Sequence, residues 1–144
     1  MVDPNALLAL WFRSIAAITT LLPNRNNTNS IYAVELPPKF DPSLGPAITI
    51  MASGGFSNPE IPTIIRPRMQ IKIWGDVLAV EAVRAVYSAM YDSINGMGNI
   101  KIVNGATPVG TILSCCEVTP PQDLSDPDTD WATVVSFYEL IARS

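Results

Sequence analysis

A chain of 144 residues, 48% hydrophobic and only 15% charged, has the length of one domain and is too apolar to remain disordered. Nine Lys and Arg against thirteen Asp and Glu give a net charge of −4, and no basic run supplies the footprint of a sequence-specific nucleic-acid binder. With no His, the commonest general base, metal ligand and partner of a nucleophilic Ser or Cys is missing, so most catalytic constellations are closed and neither cofactor nor metal is expected.

The first element is a helix from Asn5 to Leu21 or Leu22, with Asp3 at the N-cap and Pro4 at the first helical position, ended by Pro23. Leu7, Leu8, Trp11, Ile15, Ile18 and Leu22 recur at three- and four-residue spacing and form an apolar stripe. Polar residues within Ala6–Leu22 interrupt it too often for a membrane span, and no basic leader precedes it, so a soluble protein made in the cytoplasm is expected, without membrane contact. A small chain this apolar is then expected to bury surface against other protein, as an oligomer.

Residues 23–46 carry an Asn-rich run and Pro37, Pro38, Pro42 and Pro46, which predict a flexible loop, with a brief extended piece between Ile31 and Leu36. Ala47 to Ala52 is a β-prone run stopped by Gly54-Gly55, and residues 54–65 read as a hairpin arm. From Arg66 to Trp74 the residues alternate, with Arg66, Arg68, Gln70 and Lys72 on one face and Pro67, Met69, Ile71 and Ile73 on the other, the period of a half-buried strand. Asp76 is placed to cap a second helix from Val77 to Asn95 with Val80, Val83, Tyr87, Met90 and Ile94 inward. Ile100 to Val103 and Val109 to Val118 follow as strands around Asn104-Gly105, with a connection longer than two residues expected from Ala106 to Pro108. Thr119 to Asp130 reads as an acidic loop and Trp131 to Ala142 as the last strand. The expectation is one α+β domain over residues 1–144, a mostly antiparallel sheet with an N-terminal helix and a central amphipathic helix packed on it.

Cys115 and Cys116 are neighbours on a strand, so they point to opposite faces and are expected to stay unbridged, one of them buried. Glu117, Asp123, Asp126, Asp128 and Asp130 place five acids in fourteen residues. Pro127 in the middle and the lack of a central Gly argue against a calcium loop, leaving a solvated acidic loop or a contact with a basic surface. Arg66, Arg68 and Lys72 form either a solvated face or that basic surface, since a head-to-tail ring brings two different patches of one chain together.

The succession resembles the tail terminator or tail completion proteins of long-tailed bacteriophages. The resemblance is carried by the N-terminal helix, the proline-interrupted approach to Ser53-Gly54-Gly55, the strand-to-helix passage Arg66-Pro67-Arg68-Met69-Gln70-Ile71-Lys72-Ile73-Trp74-Gly75-Asp76, and the closing strand Phe137-Tyr138-Glu139-Leu140-Ile141-Ala142-Arg143. It implies a non-enzymatic virion protein that closes into a ring, commonly a hexamer, on the head-proximal end of the tail tube, where it stops tube growth and joins the head. The implied partners are sister subunits, the major tail tube protein and head-completion or neck proteins, with DNA passing through the lumen without specific binding. In that frame Gly54, Gly55, Phe56, Arg66, Arg68 and Lys72 are candidate subunit-interface residues, and Asp123, Asp126, Asp128 and Asp130 candidates for the lumen or an adjoining ring. A head-completion stopper ring and a small ligand-binding or enzymatic α+β domain are the alternatives.

Overall fold

The computed structural model describes residues 3–25, 28–57, 60 and 63–144, with the backbone alone at 56 and 57. The fold class is the expected one. Six strands, β1 (Ile31–Ala33), β2 (Ala47–Ser57), β3 (Ile64–Trp74), β4 (Ile100–Asn104), β5 (Thr107–Ser125) and β6 (Ala132–Arg143), form one sheet in the order β1-β2-β3-β6-β5-β4. All pairs are antiparallel except β1 with β2. Helices α1 (Pro4–Arg13), α2 (Ala16–Thr19) and α3 (Val80–Ile94) cover its core face. Leu7, Leu8, Phe12, Ile18, Met69, Ile71, Ile73, Met90, Tyr138 and Leu140 are buried between the two layers.

Asp3 caps α1 as expected, its carboxylate accepting from the Asn5 amide at 2.9 Å. The single long helix is corrected, however: α1 ends at Arg13, and Ile15 is extended before α2 starts. The Ser14 hydroxyl donates to the Trp11 carbonyl at 2.6 Å, a local bond that competes with the helical ladder, and the Arg13 guanidinium donates to the Ile31 carbonyl at 2.8 Å. The break turns Ile18 and Leu22 into the core.

Gly54-Gly55 does not stop β2. The strand continues to Ser57 through a register shift between Ala52 and Gly55, a bulge that glycine accommodates because φ is +97° at Gly54 and +120° at Gly55. Three further boundaries differ from expectation. Asp76 accepts from the Val77 amide at 2.8 Å rather than capping α3, which begins at Val80. Its inner face is Val83, Val86, Met90 and Ile94, while Val80 stays half exposed. Asn104 pairs with Thr107, so the β4–β5 connection is a two-residue turn, with Gly105 at φ +64°. The expected loop from Thr119 is strand as far as Ser125. Pro120 and Pro121 are tolerated there because β4 reaches only Ile112 and, among the described residues, no strand pairs with that edge of β5 beyond it, while register shifts at Glu117/Thr119 and Thr119/Gln122 absorb them.

Cys115 is buried and Cys116 exposed, both unbridged, as the alternation of a strand dictates. Among the described residues no helix is long and apolar enough to cross a membrane.

Candidate functional site

Residues of β3 and β6 that do not face the helices build an outer sheet face, and the strand period puts Arg66, Arg68 and Lys72 on it together. Their registers oppose Arg68 to Glu139, Gln70 to Phe137 and Lys72 to Val135. Each cation is held within the chain. Arg66 donates to the Glu139 carboxylate at 3.0 Å. Arg68 donates to the Thr119 hydroxyl at 2.9 Å with its guanidinium 4.6 Å from the Phe137 ring centre, and the Lys72 ammonium lies 4.0 Å from that of Trp74. Cations stacked on aromatic faces keep their charge while losing freedom, which makes the surface stiffer than a solvated lysine patch.

The aromatic row continues beyond Trp74. Its indole donates to the Thr49 hydroxyl at 3.0 Å and meets Trp131 edge-on at 6.4 Å, and Trp131 meets Phe40 at 5.6 Å. Phe40 belongs to the proline-rich segment, which is fastened rather than loose. Arg25, buried and stacked 4.5 Å above Phe40, donates to the Ser30 hydroxyl and to the carbonyls of Asp41, Gly45 and Pro46 at 2.6 to 3.2 Å. Burial lowers the pKa of its guanidinium from the ordinary value. No sequence pattern announces this hub; the only hint is a lone Arg among uncharged Asn and Pro.

Gly54 and Gly55 lie at the end of the same face, where Ser53, Gly55, Arg66, Arg68, Val118 and Glu139 line a shallow groove. The tip of the expected arm and the side chain of Phe56 lie outside the described residues; the Phe56 backbone pairs with Arg66.

The four aspartates do not converge on one point. Asp123 sits in β5 opposite Val134, on the helix side of the sheet, and forms an ion pair with Arg84 of α3. Asp126 folds its carboxylate back onto the Thr129 hydroxyl at 2.7 Å and amide at 3.1 Å, which lowers its pKa. Asp128 and Asp130 are exposed in the short turn between β5 and β6. Among the described residues no group of His, Cys, Asp or Glu is arranged to hold a metal ion. Glu117, counted with the acidic run, is instead a link between helix and sheet: its carboxylate accepts from the Tyr138 hydroxyl at 3.2 Å and from the Tyr87 hydroxyl of α3. Burial pushes both phenols above their ordinary pKa, and the neighbouring carboxylate adds to the rise.

An apolar surface that helical periodicity missed surrounds the start of α3. Leu78 is 93% exposed, and Val77, Val80 and Leu124 are about half exposed beside it. The sequence assigns Val80 to the buried stripe, but the later helix start releases it.

No protein-family model matches the sequence, and neither does any curated protein. The fold is similar to that of a chain in the virion of a native gene transfer agent (GTA) particle. The two share a TM-score of 0.63 at 14% identity, over 98% of this chain and 95% of that one. At that identity the likeness establishes a shared fold.

Proposed function

We propose that this chain is a structural virion subunit of the tail-terminator kind, forming a ring, commonly a hexamer, on the head-proximal end of a phage-like tail tube. The observation that carries the reading is the fold shared almost end to end with a chain of an assembled virion particle. The surface agrees with contact work: stiffened cations, a bulged hairpin and an exposed apolar cluster lie outside the core. In this reading the protein is not an enzyme and requires no cofactor. It occupies the tube edge that would accept the next tube ring and presents a different surface to head-completion or neck proteins, so growth ends there.

Gly54, Gly55, Phe56, Arg66, Arg68 and Lys72 are assigned to subunit contact, and Asp126, Asp128 and Asp130 to the lumen or the adjoining ring, where negative charge lets DNA slide past. Asp123 contributes less to that field because Arg84 offsets it. A standard interface hides about 800 Å² per partner, so a ring member with two neighbours plus a tube has ample use for exposed apolar side chains. Incubating the purified protein with tail tubes and, separately, with filled heads tests the assignment. Binding to one end of the tubes is expected; binding to heads alone replaces the terminator with a stopper ring, and binding to neither refutes the reading.

A further inference from the structure

Two apolar grooves of opposite electrostatic character lie at the two ends of the sheet, about 40 Å apart along a twelve-residue strand such as β6. At the first end, Val77, Val80, Leu124 and Ala132 line a groove between the start of α3 and the β5–β6 strands, with Leu78 projecting beside it. Its surroundings are acidic. Asp76 and Glu81 flank Leu78 in sequence and are exposed. The Asp76 carbonyl accepts from the Ala132 amide at 3.4 Å, which brings the turn carrying Asp126, Asp128 and Asp130 alongside. Among the described residues Arg84 is matched by Asp123 and Lys72 stands near Asp126, so Asp76, Glu81, Asp128 and Asp130 remain to set the sign.

At the second end, Ile102, Val103, Pro108 and Val109 of the β4–β5 hairpin line the other groove. Lys101 pairs with Thr111 and Thr111 with Arg143, so the two cations share one row and one face across three strands, about 10 Å apart. Among the described residues neither makes an ion pair, and both are exposed.

Like ends repel: acidic on acidic, or basic on basic, disfavours a two-fold dimer through either groove. The opposite pairing combines apolar area with attraction, and a contact between two different patches of one chain propagates head to tail. We propose that the Leu78 end of one copy docks on the β4–β5 groove of the next, with Val103 as the principal apolar partner and Lys101 and Arg143 facing Asp76 and Glu81. This interface rests on the ring reading and adds a joint at the two sheet ends to the contact already assigned to the Arg66–Lys72 face.

The test uses site-directed disulfides in the full chain, with the exposed Cys116→Ser to remove background. Leu78→Cys and Val103→Cys are compared singly and together under mild oxidation at high protein concentration, beside native mass of the unmodified protein. A ladder of covalent oligomers from the double variant, and at most traces of dimer from either single variant, is expected. Leu78→Asp is expected to abolish assembly at an unchanged melting temperature, because this side chain has almost no contacts to lose. No ladder, or a Leu78→Asp protein that still assembles, overturns the joint while leaving the ring. An unmodified protein that stays monomeric and ignores tail tubes overturns the ring itself.

Discussion

Replacing Gly55 by Ala separates two costs that the neighbouring glycine does not share. A Cβ at Gly55 would lie 2.3 Å from the Arg66 carbonyl oxygen, 2.6 Å from the Pro67 Cα and 2.8 Å from the Arg68 nitrogen, all of them backbone atoms. Restoring ordinary contact requires β2 and β3 to part by about 1 Å, which disrupts the pairs Gly55–Pro67, Phe56–Arg66 and Ser57–Ile65. At about 1 kcal/mol for each lost hydrogen bond, about two or three over this stretch because bonded and non-bonded pairs alternate and Pro67 has no N–H, plus about 1–2 kcal/mol for a side chain at positive φ, the loss is about 4 kcal/mol. Gly54 has the same kind of backbone, at φ +97°, but a Cβ there would meet nothing within 4 Å, so Gly54→Ala carries the strain alone, about 1–2 kcal/mol. With an unfolding entropy of about 2.1 cal/mol/K per residue, the melting temperature falls by about 13 °C for Gly55→Ala and about 5 °C for Gly54→Ala. Calorimetry reads the two shifts, and hydrogen exchange should show the Gly55 variant losing protection first around Ile65 to Arg68. Equal shifts, or a larger one at Gly54, would refute the close-approach argument.

Other expectations follow from the same geometry. Arg25→Ala leaves the carbonyls of Asp41, Gly45 and Pro46 without their shared donor and should cost about 3 kcal/mol, read by urea unfolding; Arg25→Lys should recover little, since an ammonium lacks the planar fork. Native protein should react with one equivalent of a thiol reagent, at Cys116, and unfolded protein with two, because burial pushes the Cys115 thiol up to about 12. Cys115, Tyr87 and Tyr138 all have raised pKa values in the fold. Their contribution is therefore fully present below the unfolded values of about 8.5 and 10 and is lost as pH rises above them, so the melting temperature should decline from about pH 9 upward. Arg66→Glu with Arg68→Glu removes one exposed ion pair and one cation–π contact, about 1–2 kcal/mol together; the fold should survive, and unchanged assembly would exclude this face from the subunit contact.

Elements with a clean period were legible in the sequence. The alternation from Arg66 to Trp74 gave both the strand and its basic face, and the apolar positions Val83, Met90 and Ile94 gave the inner side of α3. What escaped was set by contacts distant in sequence. The α1–α2 break goes with Arg13 reaching Ile31, and β5 runs through two prolines because its neighbour on that side is short. Glu117 read as one more acid until the fold brought Tyr87 and Tyr138 to it. The exposed apolar start of α3 was hidden by the same periodicity that revealed the helix, since period alone does not fix where the first turn begins.

Tube termination by this protein is tested most directly by the length distribution of tail tubes polymerised with and without it, imaged by electron microscopy. Termination predicts shortened tubes that carry one ring of added density at a single end, with the ring lost in the Leu78→Asp variant. Tubes of unchanged length with bare ends at saturating protein would contradict it.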